Sequence, residues 1–343
     1  MGKARDYIPA LKFGHKIYPE DLAIGNPWSN YFYVDGDNGS DTANTGKSID
    51  KAKVTIQAAV TAAVEGDVII VRPKTPGIWD PVGYEETVII PYATPNLTIA
   101  GISTNNTYGA MPHMAIGAGS TAMITVRAPG CRITGLSFAG TSSTGGGILF
   151  DDDSSTKSAY GTTIDNCYFY ECLGSAAAAT GGAIMWSAEG GAWQTRILNN
   201  YFMSCRGGII LKGTSSSRPT DVFIQGNTFS SWVNTEVDID IDLGNGSGAQ
   251  GVIIDNNYFG TVDVPGYAGA GATARYLDLT GCEGILSNNQ FACKTGTDDT
   301  PVTFGASTHT AGIVPATIRM ARNYGESAVG SDDKAKGEIV RTD

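Results

Sequence analysis

Apolar and polar residues recur along residues 133–291 in one short phrase that repeats about every thirty residues. Each copy opens on Ile or Leu, continues through polar residues that are mostly rich in Asn, and closes on Phe. Successive copies lie 27 to 33 residues apart. Self-similarity at one period indicates a repeat protein in which each repeat is one coil of a solenoid. The closing residues are Phe138, Phe169, Phe202, Phe229, Phe259 and Phe291.

A second short apolar run follows each phrase, as at Gly147–Phe150, Ala183–Trp186 and Gly208–Leu211. These runs are rich in Ile and aromatic residues and are bounded by Gly, Ser, Asn or Thr, which predicts strands rather than helices. Two or three strands per repeat, each pairing with the next repeat, predict parallel sheets. We expect Ile and Phe to point inward. The Asn residues should occupy the turns, where their side chains bond the next coil and tolerate left-handed backbone angles.

With these features the chain resembles the right-handed parallel β-helices of the pectate-lyase-like superfamily, whose turns carry asparagine ladders. The resemblance covers roughly residues 68–325. It implies an all-β fold, a right-handed parallel β-helix formed by one chain in about nine coils of about thirty residues. It says little about activity, because one fold hosts many functions.

The sequence divides into a β-helix and three flanking parts. A helix over about residues 53–65, with Gly66 as its C-cap residue, is predicted to cover the first coil, because the end of a solenoid exposes apolar surface. The predicted units are a docking arm over 1–27, a strand, loop and capping helix over 28–66, the β-helix over 67–325, and a charged tail over 326–343.

Residues 1–27 combine three prolines, four basic residues and three acidic residues with interleaved apolar side chains. Such an arm buries little surface alone, so we expect it to fold onto a partner; a loosely ordered leader is the alternative. The amino-acid sequence of this arm resembles the N-terminal leaders of structural proteins from tailed-phage and uncultured-virus genomes. The candidate docking side chains are Tyr7, Leu11, Phe13, Ile17, Tyr18 and Leu22.

The net charge of the 343-residue chain is −11. An acidic surface repels phosphate backbones and anionic membranes, so neither nucleic acid nor membrane is an expected partner. The segment Met1–Tyr7 lacks the apolar core of a signal peptide, which predicts synthesis in a host cytoplasm without export. Cys172 and Cys205 occupy equivalent places in neighbouring repeats, and buried free thiols are favoured there over a disulfide.

Three aspartates alternate with apolar residues in Val237–Leu243. If the apolar residues point inward, Asp238, Asp240 and Asp242 line one outer face, about 6.6 to 6.8 Å apart. That spacing lies within the ~6.5–9.5 Å range of inverting glycosidases. A solvated outer strand is the favoured interpretation. Catalysis and a cation site remain open.

A second group of aspartates, near the N-terminus, is a candidate calcium-binding loop. Asp35, Asp37 and Asp41 alternate with Gly and Asn, which is the composition of such loops. The EF-hand pattern requires Glu at its twelfth position, where this chain has Gly46, so an ordinary polar turn is favoured. No cofactor is expected except calcium at this place.

Aromatic residues form a third candidate surface. Tyr168, Tyr201 and Tyr258 share the place before the closing Phe, and Trp186 and Trp232 are predicted in turns nearby. Exposed Tyr and Trp rings stack on sugars or fill protein interfaces. The alternative is that these rings simply cover the edge of the sheet.

The resemblance implies catalytic patterns that the chain does not complete. Pectate lyases use an Arg base with a calcium-binding Asp cluster, and polygalacturonases use several short Asp and His motifs. The predicted function is therefore a non-enzymatic virion structural protein of a tailed phage. It would be a capsid decoration, spike or fibre component that forms a homotrimer and attaches to partners such as the major capsid protein. The alternatives are a carbohydrate-active enzyme (a polysaccharide lyase or glycoside hydrolase) and a module that binds a cell-surface glycan.

Overall fold

The protein is a parallel β-solenoid made of three ten-stranded sheets, which confirms the predicted all-β fold. A computed structural model describes residues 29–74, 83–102, 110–115, 122–140, 146–154, 157–173, 182–187, 191–214, 217–231, 239–244, 247–261, 275–293, 304–305, 312–327, 337–339 and 341–342.

The first sheet carries the opening Ile of each repeat phrase on its inner face. In spatial order its strands are β1 Tyr31–Val34, β2 Val68–Val71, β5 Thr98–Gly101, β8 Arg132–Thr134, β13 Thr163–Asp165, β16 Arg196–Leu198, β19 Phe223–Gln225, β22 Val252–Asp255, β25 Gly284–Ser287 and β29 Ile318–Ala321.

The second sheet carries the closing Phe of each phrase. In spatial order its strands are β3 Tyr84–Glu85, β6 His113–Ala115, β9 Ser137–Ala139, β14 Tyr168–Tyr170, β17 Tyr201–Met203, β20 Thr228–Ser231, β23 Tyr258–Thr261, β26 Gln290–Cys293, β30 Tyr324–Ser327 and β31 Gly337–Glu338.

The third sheet is built from the second apolar run of each repeat. In spatial order its strands are β4 Val88–Ile90, β7 Ala122–Val126, β10 Gly146–Phe150, β15 Gly182–Trp186, β18 Gly207–Ile210, β21 Ile239–Asp242, β24 Arg275–Asp278, β28 Gly312–Ile313, β27 Phe304–Gly305 and β32 Arg341–Thr342.

A column of six phenylalanine rings runs through the core, one ring per coil. Consecutive rings from Phe138 to Phe291 are stacked with centroids 4.4 to 4.9 Å apart and interplanar angles of 4 to 10°. The separation matches the spacing of paired strands, because each ring rises from the same place on its own coil. Phe304 meets Phe291 edge-on at 5.1 Å and ends the stack.

The turn between the first and second sheets contains two successive Asn positions, which have different roles. Asn199 and Asn256 have φ near +54°, the left-handed conformation that Asn tolerates. The residues that follow them are buried and form a ladder in which each Nδ2 donates to the Oδ1 of the next coil at 2.9 to 3.1 Å. The predicted Asn ladder is therefore present, formed by Asn200, Asn227, Asn257, Asn289 and Asn323.

The capping helix α1 spans Ile56–Ala62, after a short 3-10 helix at Ile49–Lys51. Thr55 caps its N-terminus by accepting from the Ala58 amide at 3.1 Å. The helix buries Ile56 and Val60 over the first strands. It is shorter than predicted, because Ala63 is already extended with ψ 158° and serves as the C-cap residue in place of Gly66.

Two short strands lie within the predicted C-terminal tail, and one hairpin lies outside the solenoid. β31 joins the second sheet antiparallel to β30, and β32 pairs with β27. The hairpin is formed by β11, Asp152–Ser154, and β12, Lys157–Ser158.

No helix in the described part of the chain is long and apolar enough to cross a membrane.

Candidate functional site

The outer face of the second sheet gathers the tyrosines into one column. Strand register aligns Tyr168 with Tyr201, and Tyr258 with Gln290, with Thr228 between the two pairs. The predicted column is thus present. Register also adds Tyr324, which pairs with Gln290.

Tyr324 was absent from the predicted column because its repeat phrase lacks the closing Phe. Gly325 stands where the other copies have Phe. The signal that could have found it is the preceding Asn323, which occupies the ladder position of the same coil.

Exposure increases along this column from the first coils to the last. His113 and Ser137 are buried, and the His113 Nδ1 lies 3.1 Å from the Ser137 Oγ. Tyr168 and Tyr201 are half-buried and stack on each other at 4.9 Å, with an interplanar angle of 7°. Tyr258 is 42% exposed.

The accessible part of the column therefore comprises the last three coils. Tyr258 and Tyr324 are 42% and 49% exposed, and the exposed Gln290 lies between them. In this segment each tyrosine is separated from the other by a polar side chain instead of packing against it. We call Tyr258, Gln290 and Tyr324 the open tyrosine segment.

The two tryptophans that were predicted as contact residues have separate outcomes. Trp186 is only 1% exposed and belongs to the core, so its prediction as a glycan or partner contact is wrong. The reason is register: Trp186 pairs with the inward-facing Phe150 of the preceding coil. Trp232 lies outside the described residues, as do the docking-arm residues Tyr7, Leu11, Phe13, Ile17, Tyr18 and Leu22.

The three alternating aspartates do not form a solvated outer face. Asp238 lies outside the described residues, and Asp240 is only 5% exposed. The ladder between β18, β21 and β24 pairs residues 239 and 241 but skips 240, so the alternation breaks there. The neighbours of Asp240 in that column, Gly208 and Tyr276, both face the phenylalanine stack. Asp240 therefore occupies an inward column.

Asp242 faces outward but is also buried, at 6% exposure. It forms an ion pair with Lys212 at 2.5 Å, and the Gly244 amide donates to its Oδ1 at 3.1 Å. Burial raises the pKa of Asp242; Lys212 partly offsets this, and the charge of Asp278 adds to it.

The carboxylates that the third sheet brings together are Asp242 and Asp278, which are register partners in adjacent coils. Such partners are about 4.8 Å apart. The sequence-based prediction missed Asp278, because no local pattern links it to Asp242 across 36 residues.

Asp35 and Asp41 are engaged by donors from the protein. Asp35 accepts from the Asp37 and Asn38 amides and pairs with Arg72. The hydrogen bonds from these partners outweigh burial and lower the pKa of Asp35. Asp41 accepts from the amides of Val54 and Thr55 at the start of helix α1. In the described part of the chain, no three His, Cys, Asp or Glu side chains converge as a metal site.

A pocket of about 480 Å³ adjoins helix α1. The polar side chains that line this pocket hold helix α1 against its neighbours. Gln57 Oε1 accepts from the Ile89 amide at 2.7 Å, and Asp41 Oδ2 accepts from Thr55 Oγ1. The lining residues are Asp41, Lys53, Thr55, Gln57, Ala58, Thr61 and Ala62.

Five cysteines are free and buried, as predicted for this chain: Cys131, Cys167, Cys172, Cys205 and Cys282. Cys172 and Cys205 do lie against each other in neighbouring coils, where a hydrogen bond with Cys205 and burial hold the pKa of Cys172 well above its ordinary value.

Comparison with known proteins identifies the architecture. An alginate lyase from a Paenibacillus species matches with a TM-score of 0.51 and 15% identity over 90% of this chain and 99% of the lyase. Carrot pectin methylesterase matches with a TM-score of 0.41 and 12% identity, over 93% of this chain and 89% of the esterase. PfbA, a surface adhesin of Streptococcus pneumoniae, matches with a TM-score of 0.40 and 14% identity, over 86% and 74%.

The similarity to the alginate lyase supports the parallel β-helix at the level of fold. No family model matches the chain, and no curated protein matches its sequence. Identities this low do not transfer an activity, because unrelated functions share this architecture. None of the matched proteins reported above is a phage structural protein, so the virion role remains a prediction from the sequence.

Proposed function

We propose that the protein binds glycans on the outer face of its second sheet, with the open tyrosine segment as the contact surface. The observation that carries this proposal is the pair of rings, Tyr258 and Tyr324, which are 42% and 49% exposed in one column. Two coils separate them, which corresponds to about 9.6 Å along the rod.

The chemistry of the segment suits a sugar chain. A pyranose ring offers a face of C–H groups and a rim of hydroxyls, and tyrosine offers an apolar ring with a polar tip. The amide of Gln290 supplies donors and an acceptor for hydroxyls between the two rings. Repetition along the coils would let a polymer contact several equivalent positions.

The fold of the neighbours is compatible with this function. The alginate lyase and the pectin methylesterase are named for polysaccharide substrates, and PfbA is named an adhesin. The alginate lyase, which matches with a TM-score of 0.51, supports the proposal at the level of fold only. The proposal itself depends on the exposed rings of this chain.

Binding can be tested by titrating the full chain with a set of hexasaccharides and measuring heat. Replacing Tyr258 or Tyr324 with Ala should weaken binding about tenfold or more, because ~1.4 kcal/mol or more of ring contact is lost. Tyr160→Ala is the matched control, since Tyr160 is 43% exposed but follows the β11–β12 hairpin. Equal losses in all three variants, or no binding by the parent chain, would overturn the proposal.

Catalysis on a polysaccharide is the second candidate function, and Asp242 favours it. This carboxyl is buried, pairs with Lys212 and lies one coil from Asp278, so two carboxyl groups come together in adjacent coils of the third sheet. However, Asp242 is only 6% exposed, whereas the open tyrosine segment is accessible. Depolymerisation of alginate, pectin or neutral glucans that is lost in Asp242→Asn and kept in Asp153→Asn would establish it.

The predicted virion role remains a further proposal. It holds that residues 1–27 attach a homotrimer to a particle. Light scattering of the full chain beside a variant lacking residues 1–27 tests it. Trimers in both samples would support assembly through the solenoid body, and monomers in both would remove its main support.

A further inference from the structure

In the described strands of the second sheet, the outer face carries no Lys or Arg from the fourth coil to the coil of Tyr324. One column along it reads Tyr168, Tyr201, Thr228, Tyr258, Gln290 and Tyr324. The column beside it reads Tyr170, Met203, Ser230, Gly260, Ala292 and Glu326. Neither column contains Lys or Arg.

Among the described residues, Arg322, Glu171 and Arg206 lie at the borders of this face. Arg322 occupies the turn before Tyr324, with φ 51°, and so lies at the corner between two sheets. Glu171 and Arg206 follow strands β14 and β17, coils away from the open tyrosine segment. Glu326 is in register with Ala292, so the second column ends on an acidic residue in the coil of Tyr324.

Polymers of uronic acids require a different surface. Carboxylates are bound most specifically by Arg in bidentate pairs, and a protein of net charge −11 repels a polyanion at long range. Bridging cations would need carboxylate groups that converge, and the described residues contain no such group of three. The open tyrosine segment offers only ring faces, hydroxyls and one amide.

We infer that the ligand of the open tyrosine segment is an uncharged glycan. This inference rests on the proposed glycan-binding function. The rings of Tyr258 and Tyr324 would contact apolar sugar faces, and Gln290 would bond hydroxyls between them. This ligand class differs from alginate, the uronic acid polymer for which the structurally similar lyase is named.

The test compares two panels of hexasaccharides on the full chain. The neutral panel contains cello-, xylo-, manno- and galacto-hexaoses; the acidic panel contains alginate and polygalacturonate hexamers. We expect the best neutral ligand to bind about tenfold or more tighter than either acid. Its affinity should change little when NaCl is raised, because no ion pair is screened.

Gln290→Lys gives the inference a gain-of-function arm. A cation between the two rings should raise affinity for the acidic hexamers at low salt and lose that gain at high salt. Ile285→Lys is the matched control, because Ile285 lies in the same coil, is 40% exposed and faces outward on the first sheet. The control should leave acid binding unchanged.

The outcomes separate the two claims. Tyrosine-dependent binding of acidic hexamers by the parent chain, as tight as any neutral binding, would overturn the inference and keep the proposed function. Binding of neither panel, or binding that survives both tyrosine replacements, would overturn the proposed function itself.

Discussion

The ring of Tyr258 lies over Gly260 on the outer face of the second sheet. A Cβ atom added to Gly260 would come within 2.3 Å of the Tyr258 Cε1. The other coils carry Tyr170, Met203 and Ser230 at this place. The glycine thus leaves room for one exposed ring to lie along its own strand.

Gly260→Ala should displace the Tyr258 ring without altering the tyrosine itself. If the ring position matters, glycan affinity should fall about threefold to tenfold, and the thermal midpoint should change little. Ser230→Ala, in the same column one coil earlier, should leave affinity unchanged. Equal affinity in Gly260→Ala and the parent chain would show that the ring position is not used.

The asparagine ladder should contribute strongly to stability. Asn257 donates to the Ile224 carbonyl and the Asn289 Oδ1, and its own Oδ1 accepts from Asn227. Asn257→Ala leaves these buried partners unsatisfied, at a cost of about 3 kcal/mol or more in urea unfolding. Asn256→Gly is the control: this exposed residue has φ 54°, so glycine should change stability by less than about 0.5 kcal/mol. Similar losses in both variants would contradict a special role for the ladder.

The phenylalanine stack should be equally sensitive. Phe229 lies 4.7 Å from Phe202 and 4.9 Å from Phe259 and is fully buried. Phe229→Ala should lower the free energy of unfolding by about 3 to 5 kcal/mol, because a cavity forms between two rings. Phe223→Ala removes a half-buried ring that contacts Arg196 at 5.3 Å on the outside, and should cost about 1 kcal/mol or less.

The buried Asp242 should make stability depend on pH. Its pKa is raised above 3.8, so the folded protein binds this proton more tightly than the unfolded chain does. This contribution to stability is present below 3.8 and is lost as pH rises through the folded pKa. Unfolding measured from pH 3 to 7 should therefore show Asp242→Asn gaining stability relative to the parent as pH rises. Asp153→Asn, at an exposed strand position, is the control for the loss of one negative charge.

The described thiols should be unreactive in the folded protein. Burial raises the pKa of Cys131, Cys167 and Cys282 to about 12, and thiolate is the reactive form. In a Cys293→Ser background, a disulfide reagent at pH 8 should label none of the five until the chain is unfolded, and then all five. Three labelled thiols after unfolding would indicate that Cys172 and Cys205 are bridged.

The sequence alone determined the coil and its inner surface. The phrase recurs with one inward Ile and one inward Phe, and each stacks on its own copy because parallel coils repeat every 4.8 Å or so. Asn residues were placed in the turns for the same reason. A pattern that is local and repeated needs no long-range information.

Tertiary structure decided what each coil presents to solvent. Trp186 and Asp240 were expected outside and lie inside, because the third sheet breaks strict alternation at its skipped pairs. Asp278 comes beside Asp242, and Tyr324 joins the column of Tyr258, only through coils that are distant in sequence. Exposure depends on what neighbouring coils and loops cover, and a single repeat phrase contains no information about that.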